Sequence, residues 1–225
     1  MPRLTYLGHS AFYLEGEKGR IVIDPFLSGN PLAQTKPDEV KVEYVLLTHG
    51  HGDHIGDGVQ IARANGGTIV APFELAQYCE KQGASVHPMH IGGAHEFPFG
   101  RVKLTIAHHG SMAPDGTYTG NPCGFLVTME GKTLYHSGDT GLFLDMKLIG
   151  EMNKIDVAVL PIGDNFTMGI QDAVKAAEFL QAGLVIPMHY RTFDVIDVEP
   201  QDFVQAVHAR GMKARLLPIG ESLEY

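Results

Sequence analysis

Thr48-His49-Gly50-His51-Gly52-Asp53-His54 places four candidate metal ligands, His49, His51, Asp53 and His54, in six consecutive positions. Imidazole nitrogens with a carboxylate suit zinc, manganese or iron, and no thiolate is needed. Gly50 and Gly52 let a loop turn sharply enough to aim both flanking histidines inward. The stretch follows residues 44–48, a nearly all-apolar run that reads as a buried strand. A polar loop with solvent-facing histidines is the plain alternative. This density of ligand types directly after a buried strand weighs against it.

Four ligands from one loop do not fill two metal shells, and the further candidates share one placement. His109 follows the apolar run 104–107, within His108-His109-Gly110-Ser111. Asp139 follows residues 133–135, within His136-Ser137-Gly138-Asp139-Thr140, and His189 follows residues 184–188. Strand ends that converge on one edge of a sheet are where pockets form. Asp139 has a second reading as the Asx residue of a Gly-Asp-Thr turn.

Composition bounds the setting. The chain has 225 residues, 44% of them hydrophobic and 19% charged, with a mean hydropathy of -0.02, as an ordinary globular protein has. That length suits one domain spanning residues 1–225, since no linker, charge block or low-complexity stretch divides it. A net charge of -9 disfavours binding to nucleic acid or an anionic membrane, which needs a cationic surface. No apolar run approaches the ~20 residues of a bilayer span, and a strand pattern from residue 4 leaves no room for a signal peptide. The expectation is a cytoplasmic protein with a small-molecule substrate. Self-association is left open. Cys79 and Cys123 are too few for a disulfide scaffold and read as reduced and packed.

Gly and Pro cut the chain into short elements. Strands are expected at 4–7, 11–15, 20–23, 44–48 and 68–71, with helices at 56–65 and 74–82. Hairpin-type strands follow at 101–107, 124–129 and 132–135, turned by Glu130-Gly131. Alternation then returns: strand 156–160, helix 170–181, strand 184–188, a helix from Pro200 and a last strand at 213–217. In helix 170–181, Ile170, Ala173, Val174, Ala177 and Leu180 share a face. Two sheet-forming halves, each with helices outside, predict a four-layer αββα sandwich of the α/β class. His87, His90 and His95 fall in an expected loop, and Asp164 and Asn165 precede the helix at 170 as a capping region.

The chain resembles the metallo-beta-lactamase fold superfamily, and within it a small bacterial and archaeal family of metal-dependent hydrolases. That family is similar to ascorbate-6-phosphate lactonases and, more distantly, to N-acyl-phosphatidylethanolamine phospholipases. The resemblance rests on Tyr6-Leu7-Gly8-His9-Ser10, Asp24-Pro25-Phe26, the 48–54 stretch, residues 135–140, residues 160–169 and Ile186-Pro187-Met188-His189-Tyr190.

What the resemblance implies is a dinuclear site of two divalent ions, zinc or manganese. His49, His51 and His109 would hold the first ion, Asp53, His54 and His189 the second, and Asp139 would bridge. His109 is chosen over His108 by strand register, because only one of two adjacent side chains can face the ions. The family commonly has an apolar or aromatic residue before a His-Ser-Ser, a pattern from which His108-His109-Gly110-Ser111 departs. Asp24 would support the ligands without binding metal. Asp53 would also accept a proton from the attacking water, and His9 or Asn165 would orient the substrate or assist the leaving group. The implied reaction is hydrolysis of a small ester, lactone or phosphodiester. An oxygen or redox enzyme on the same fold is one alternative, disfavoured by His51, where diiron redox relatives carry an acidic ligand. A non-catalytic metal-binding protein is the other.

Overall fold

Glycine, proline and polar punctuation break the chain into thirteen short strands, which the computed structural model, describing residues 1–225, assembles into two sheets. The first sheet contains β1 (Arg3–Gly8), β2 (Ala11–Gly16), β3 (Gly19–Ile23), β4 (Tyr44–Leu46), β5 (Thr68–Pro72) and β6 (Ser85–Met89). The second contains β7 (Ala94–Phe97), β8 (Gly100–Ile106), β9 (Cys123–Met129), β10 (Lys132–His136), β11 (Val157–Pro161) and β12 (Leu184–Met188). A final strand, β13 (Ser222–Glu224), returns to the first sheet and pairs antiparallel with β1.

Side-chain alternation along the strands sorts residues into layers. Leu4, Phe12, Leu14, Ile21 and Leu46 of the first sheet meet Leu104, Phe125, Val127, Leu134 and Val159 of the second in the central core. The opposite faces are covered by helices. On the first sheet, α2 (Gly58–Asn65) and α3 (Phe73–Lys81) lay Ile61, Leu75 and Cys79 over Val22, Val45 and Ile69. On the second, α5 (Ile170–Leu180) and α6 (Pro200–Ala209) press Ala173, Ala177, Phe203 and Val207 onto Tyr135, Ala158 and Leu160. The αββα arrangement expected from the sequence is therefore the one observed. Each fully buried Leu, Ile, Val or Phe in these layers contributes about 1.5–3 kcal/mol. Cys79 and Cys123 are both buried and unpaired. No helix is long and apolar enough to cross a membrane.

Strand direction decides where the chemistry gathers. β8 and β10 both run antiparallel to β9, while β10, β11 and β12 are mutually parallel, so these four strands end at one edge. Likewise β1 and β3 flank β2 antiparallel, and β4 runs parallel to β3. The residues just past these ends are His9, Asp24 and His49 in the first sheet, and His109, Asp139 and His189 in the second.

Several elements differ from the sequence reading. The ligand-rich stretch is not all loop: Gly52–Ile55 forms a single helical turn, α1, which Gly56 ends at φ +43° before α2 starts. His87 and His95 lie on β6 and β7 rather than in a loop, and only His90 falls between strands. Both are exposed or half-buried edge strands, and Pro88 with Gly92-Gly93 reads locally as a turn. Residues 213–217 form no strand, only a bridge from Ala214 to Val185, after which Pro218 and Gly220 turn the chain back to β1. The helix α4 (Asp145–Met152) had no counterpart in the sequence reading; Leu148 and Met152 lie exposed on it, so no clean buried stripe marks it.

Candidate metal centre

The strand ends bring His49, His51, His109, Asp53, His54, Asp139 and His189 into one cluster that draws on both sheets. His51 Nδ1 lies 3.0 Å from His49 Nε2 and 3.2 Å from His109 Nε2. Beside this trio, Asp139 Oδ2 lies 3.2 Å from His54 Nε2, 3.0 Å from His189 Nε2 and 3.7 Å from His109 Nε2. Asp53 Oδ2 sits 3.8 Å from His189 Nε2 and 3.9 Å from His54 Nε2. Asp139 thus stands between the two groups. His108 points elsewhere, its ring stacked on Phe143 at 4.8 Å.

Tautomers are set from behind. Thr48 donates its backbone N–H to Asp24 Oδ1 and its hydroxyl to Asp24 Oδ2, at 2.8 and 2.6 Å. With its proton committed, the Thr48 hydroxyl accepts from His49 Nδ1 at 2.9 Å, which leaves His49 Nε2 as a bare acceptor facing the cluster. His54 Nδ1 donates to Asp24 Oδ2 at 2.7 Å, so Nε2 is the nitrogen left to meet a metal ion. This arrangement of a carboxylate behind imidazole is the usual support of a metal ligand. The loop is held by Gly50, whose N–H donates to Ser111 Oγ and where a β-carbon would run into the Thr119 hydroxyl. His9, Asp24 and His189 all adopt left-handed backbone (φ +55°, +45° and +56°), strain that non-glycine residues keep where surrounding structure fixes it.

Electrostatics follow from burial and crowding. Burial holds His49 well below the ordinary imidazole value, and the neighbouring His54 adds to this. Burial likewise lowers His51 and His109. His9 falls to about 4, chiefly by burial and against the pull of its hydrogen bond to Asp53. For His54, burial is outweighed by Asp139, Asp53 and Asp24, which push it well up. Burial is outweighed at His189 too, where Asp139 takes the ring up to about 9. Burial would raise Asp53 and Asp139, but the histidines around them hold both carboxyls below the usual range.

The donor set fits a divalent cation. His54 Nε2, Asp139 Oδ1 and His189 Nδ1 are buried without a hydrogen-bond partner, a costly state for polar atoms. For His54 Nε2, which faces the cluster, a bound cation would remove that cost. His51 Nδ1, 3.0 Å from the bare His49 Nε2 and 3.2 Å from His109 Nε2, holds at most one proton and cannot pair with both neighbours at once.

Two expected site residues behave differently from the rest. His9 joins the cluster, with Nε2 3.1 Å from Asp53 Oδ2. Asn165 does not: it is exposed, follows Asp164 in a left-handed pair, and no hydrogen bond links it to the cluster. Neither residue of that pair caps α5, whose N-cap is Gly169. Thr48 and Ser111 were legible as parts of motifs but not as supports, and Thr119 carried no signal at all.

A family profile described as a beta-lactamase superfamily domain matches residues 3–189. A UPF0173 metal-dependent hydrolase of Bacillus thuringiensis subsp. konkukian (strain 97-27) is 55% identical, over 98% of this chain and 99% of that protein. Among solved structures, Igni18, a metallo hydrolase of the archaeon Ignicoccus hospitalis KIN4/I, is 38% identical with a TM-score of 0.91, covering 100% of this chain and 99% of its own. An isothiocyanate hydrolase from Delia radicum gut bacteria shares the fold, with a TM-score of 0.80 at 21% identity over 99% of this chain and 98% of its own. Profile, full-length identity and the histidine-rich strand edge agree: the chain belongs to the beta-lactamase superfamily and, within it, to the UPF0173 metal-dependent hydrolases.

Proposed function

We propose that this protein hydrolyses a small ester, lactone or phosphodiester at a dinuclear centre of zinc or manganese. His49, His51 and His109 would hold one ion, and Asp53, His54 and His189 the other, with Asp139 shared. The observation that carries this reading is the position of Asp139 Oδ2 between the two ligand groups, at 3.0 Å from His189, 3.2 Å from His54 and 3.7 Å from His109. Bound divalent ions supply Lewis acidity, polarising a carbonyl or phosphoryl oxygen and making water a better nucleophile near neutral pH.

The protein's own contribution falls unevenly on its two carboxylates. Asp139 is 3% exposed and Asp53 25%. Asp53 therefore meets incoming water and is the residue placed to take its proton. His9, donating to Asp53, keeps that carboxylate turned toward the histidines. Phe26 and the partly exposed Phe193 stand edge-on to His9 at 5.7 and 5.6 Å and give the substrate an apolar wall. The chain acts as one domain, because both sheets feed its core and its cluster alike. With two unpaired cysteines and no membrane-crossing helix, we place it in the cytoplasm.

The test is metal analysis of protein purified without added metal, followed by a panel of esters, lactones and phosphodiesters on the same preparation. Two equivalents of zinc or manganese with turnover of one substrate class support the reading. Iron with oxygen consumption, or a loaded protein inert across the panel, counts against it.

A further inference from the structure

We infer that Thr192 is a positioning residue, which fixes the tautomer of His9 so that His9 donates to Asp53. The inference rests on the reading of Asp53 as a metal ligand and proton acceptor, and adds a residue outside that set. His9 is 1% exposed and makes two side-chain hydrogen bonds: Nε2 to Asp53 Oδ2 at 3.1 Å and Nδ1 to Thr192 Oγ1 at 2.8 Å. An ionised carboxylate only accepts, so the His9 proton belongs on Nε2. Nδ1 is then an acceptor, and the Thr192 hydroxyl is the donor within reach. That hydroxyl has one competing acceptor, the Tyr190 carbonyl, at a much longer 3.4 Å.

Water cannot substitute for Thr192. Phe26 and Phe193 flank the His9 ring edge-on, His189 packs on it at 4.1 Å, and Thr192 is itself 5% exposed. The backbone is equally fixed. The His9 carbonyl accepts from the Tyr6 hydroxyl at 3.0 Å and from the His189 N–H at 2.8 Å. Left-handed turns at His189 and Arg191 then fold residues 189–193 back over His9. One short strap thus delivers a candidate ligand, His189, and the hydroxyl that sets its neighbour's proton.

Without the hydroxyl, the tautomer that serves Asp53 leaves Nδ1 a buried acceptor with no donor, which costs that tautomer its advantage, and the opposite tautomer sets a lone pair against Asp53. Outer partners of metal-site residues are typically worth about 10–100-fold in affinity or activity. The experiment begins with ¹⁵N spectra of the histidine rings in metal-free wild-type protein, followed by Mn²⁺ titration of wild type, Thr192→Val and Thr192→Ser. The expected spectrum has His9 protonated at Nε2 alone. Mn²⁺ binding should weaken at least about tenfold in the isosteric Val variant and recover in the Ser variant. A wild-type His9 protonated at Nδ1, or a Val variant that binds Mn²⁺ as wild type does, would overturn the inference. Wild-type protein that binds no metal overturns the hydrolase reading instead, and the ring spectrum alone then decides the role of Thr192.

Discussion

Asp24 and His54 meet at 2.7 Å, carboxylate to Nδ1, with neither side chain exposed to solvent. The same Asp24 oxygen takes the Thr48 hydroxyl proton, so one carboxylate orients His54 directly and His49 through Thr48. Asp24→Asn keeps the shape but sets an amide N–H₂ against groups that already donate. Metal affinity should fall by about 10–100-fold, read by elemental analysis after dialysis against a chelator. Unchanged metal content would show that the ligands orient themselves.

His108 and His109 offer a test within one dipeptide. His109 Nε2 lies at the cluster, whereas His108 stacks on Phe143. His109→Ala should lose most metal from one site, and His108→Ala should keep nearly all of it. Equal losses, or the reverse order, would reject the assignment.

Asp53 is expected to matter more for turnover than for folding. Asp53→Asn retains one oxygen ligand but no basic charge. With metal occupancy restored in excess Mn²⁺, kcat should drop by about 10²–10⁴-fold at little change in thermal stability. A loss confined to KM would make Asp53 a substrate-binding residue.

Far from the cluster, Asp156 joins two parallel strands, accepting from the Thr133 N–H at 2.9 Å and from Lys132 Nζ at 3.1 Å. Burial pushes its carboxyl up, but these partners outweigh it and hold the value below the usual range. A depressed folded value means that the stabilisation is complete above the unfolded value of about 3.9 and is lost as pH falls through the folded one. Asp156→Asn should therefore cost about 1–2 kcal/mol at neutral pH, and its deficit against wild type should shrink in acid. Urea unfolding at both pH values reads the difference; a deficit independent of pH would remove the charge from the explanation.

Much of this was legible from local pattern. Alternating or continuous apolar runs located β1 to β5 and β8 to β12, and the stripe of Ala173, Val174, Ala177 and Leu180 located α5, because burial on one face leaves a periodic trace. The cluster was legible too, since its members stand directly after those strands. What was missed leaves no such trace. Edge strands β6 and β7 are half solvated, so His87 and His95 look like loop residues. Ala214 and Leu217 are buried by what packs on them rather than by a ladder. Thr192 reaches His9 across 183 positions, and only the backbone turns at His189 and Arg191 create that meeting. Asn165, by contrast, carried a resemblance that the cluster's geometry does not use.

The pairing of β13 with β1 sets Arg3 against Glu224, the two ends of the chain side by side. During synthesis, β1 emerges long before β13, so its outer edge must wait for its partner while both sheets are still being made. Until then, the nascent first sheet presents an open row of backbone donors and acceptors, the kind of edge that recruits other chains. Arg3, on that edge and ion-paired with Glu15 of β2, sets a charge there of the kind that disfavours edge-to-edge pairing. Loss of the last four residues would make that temporary exposure permanent, so a trimmed chain should be more prone to aggregate than one altered at any ligand.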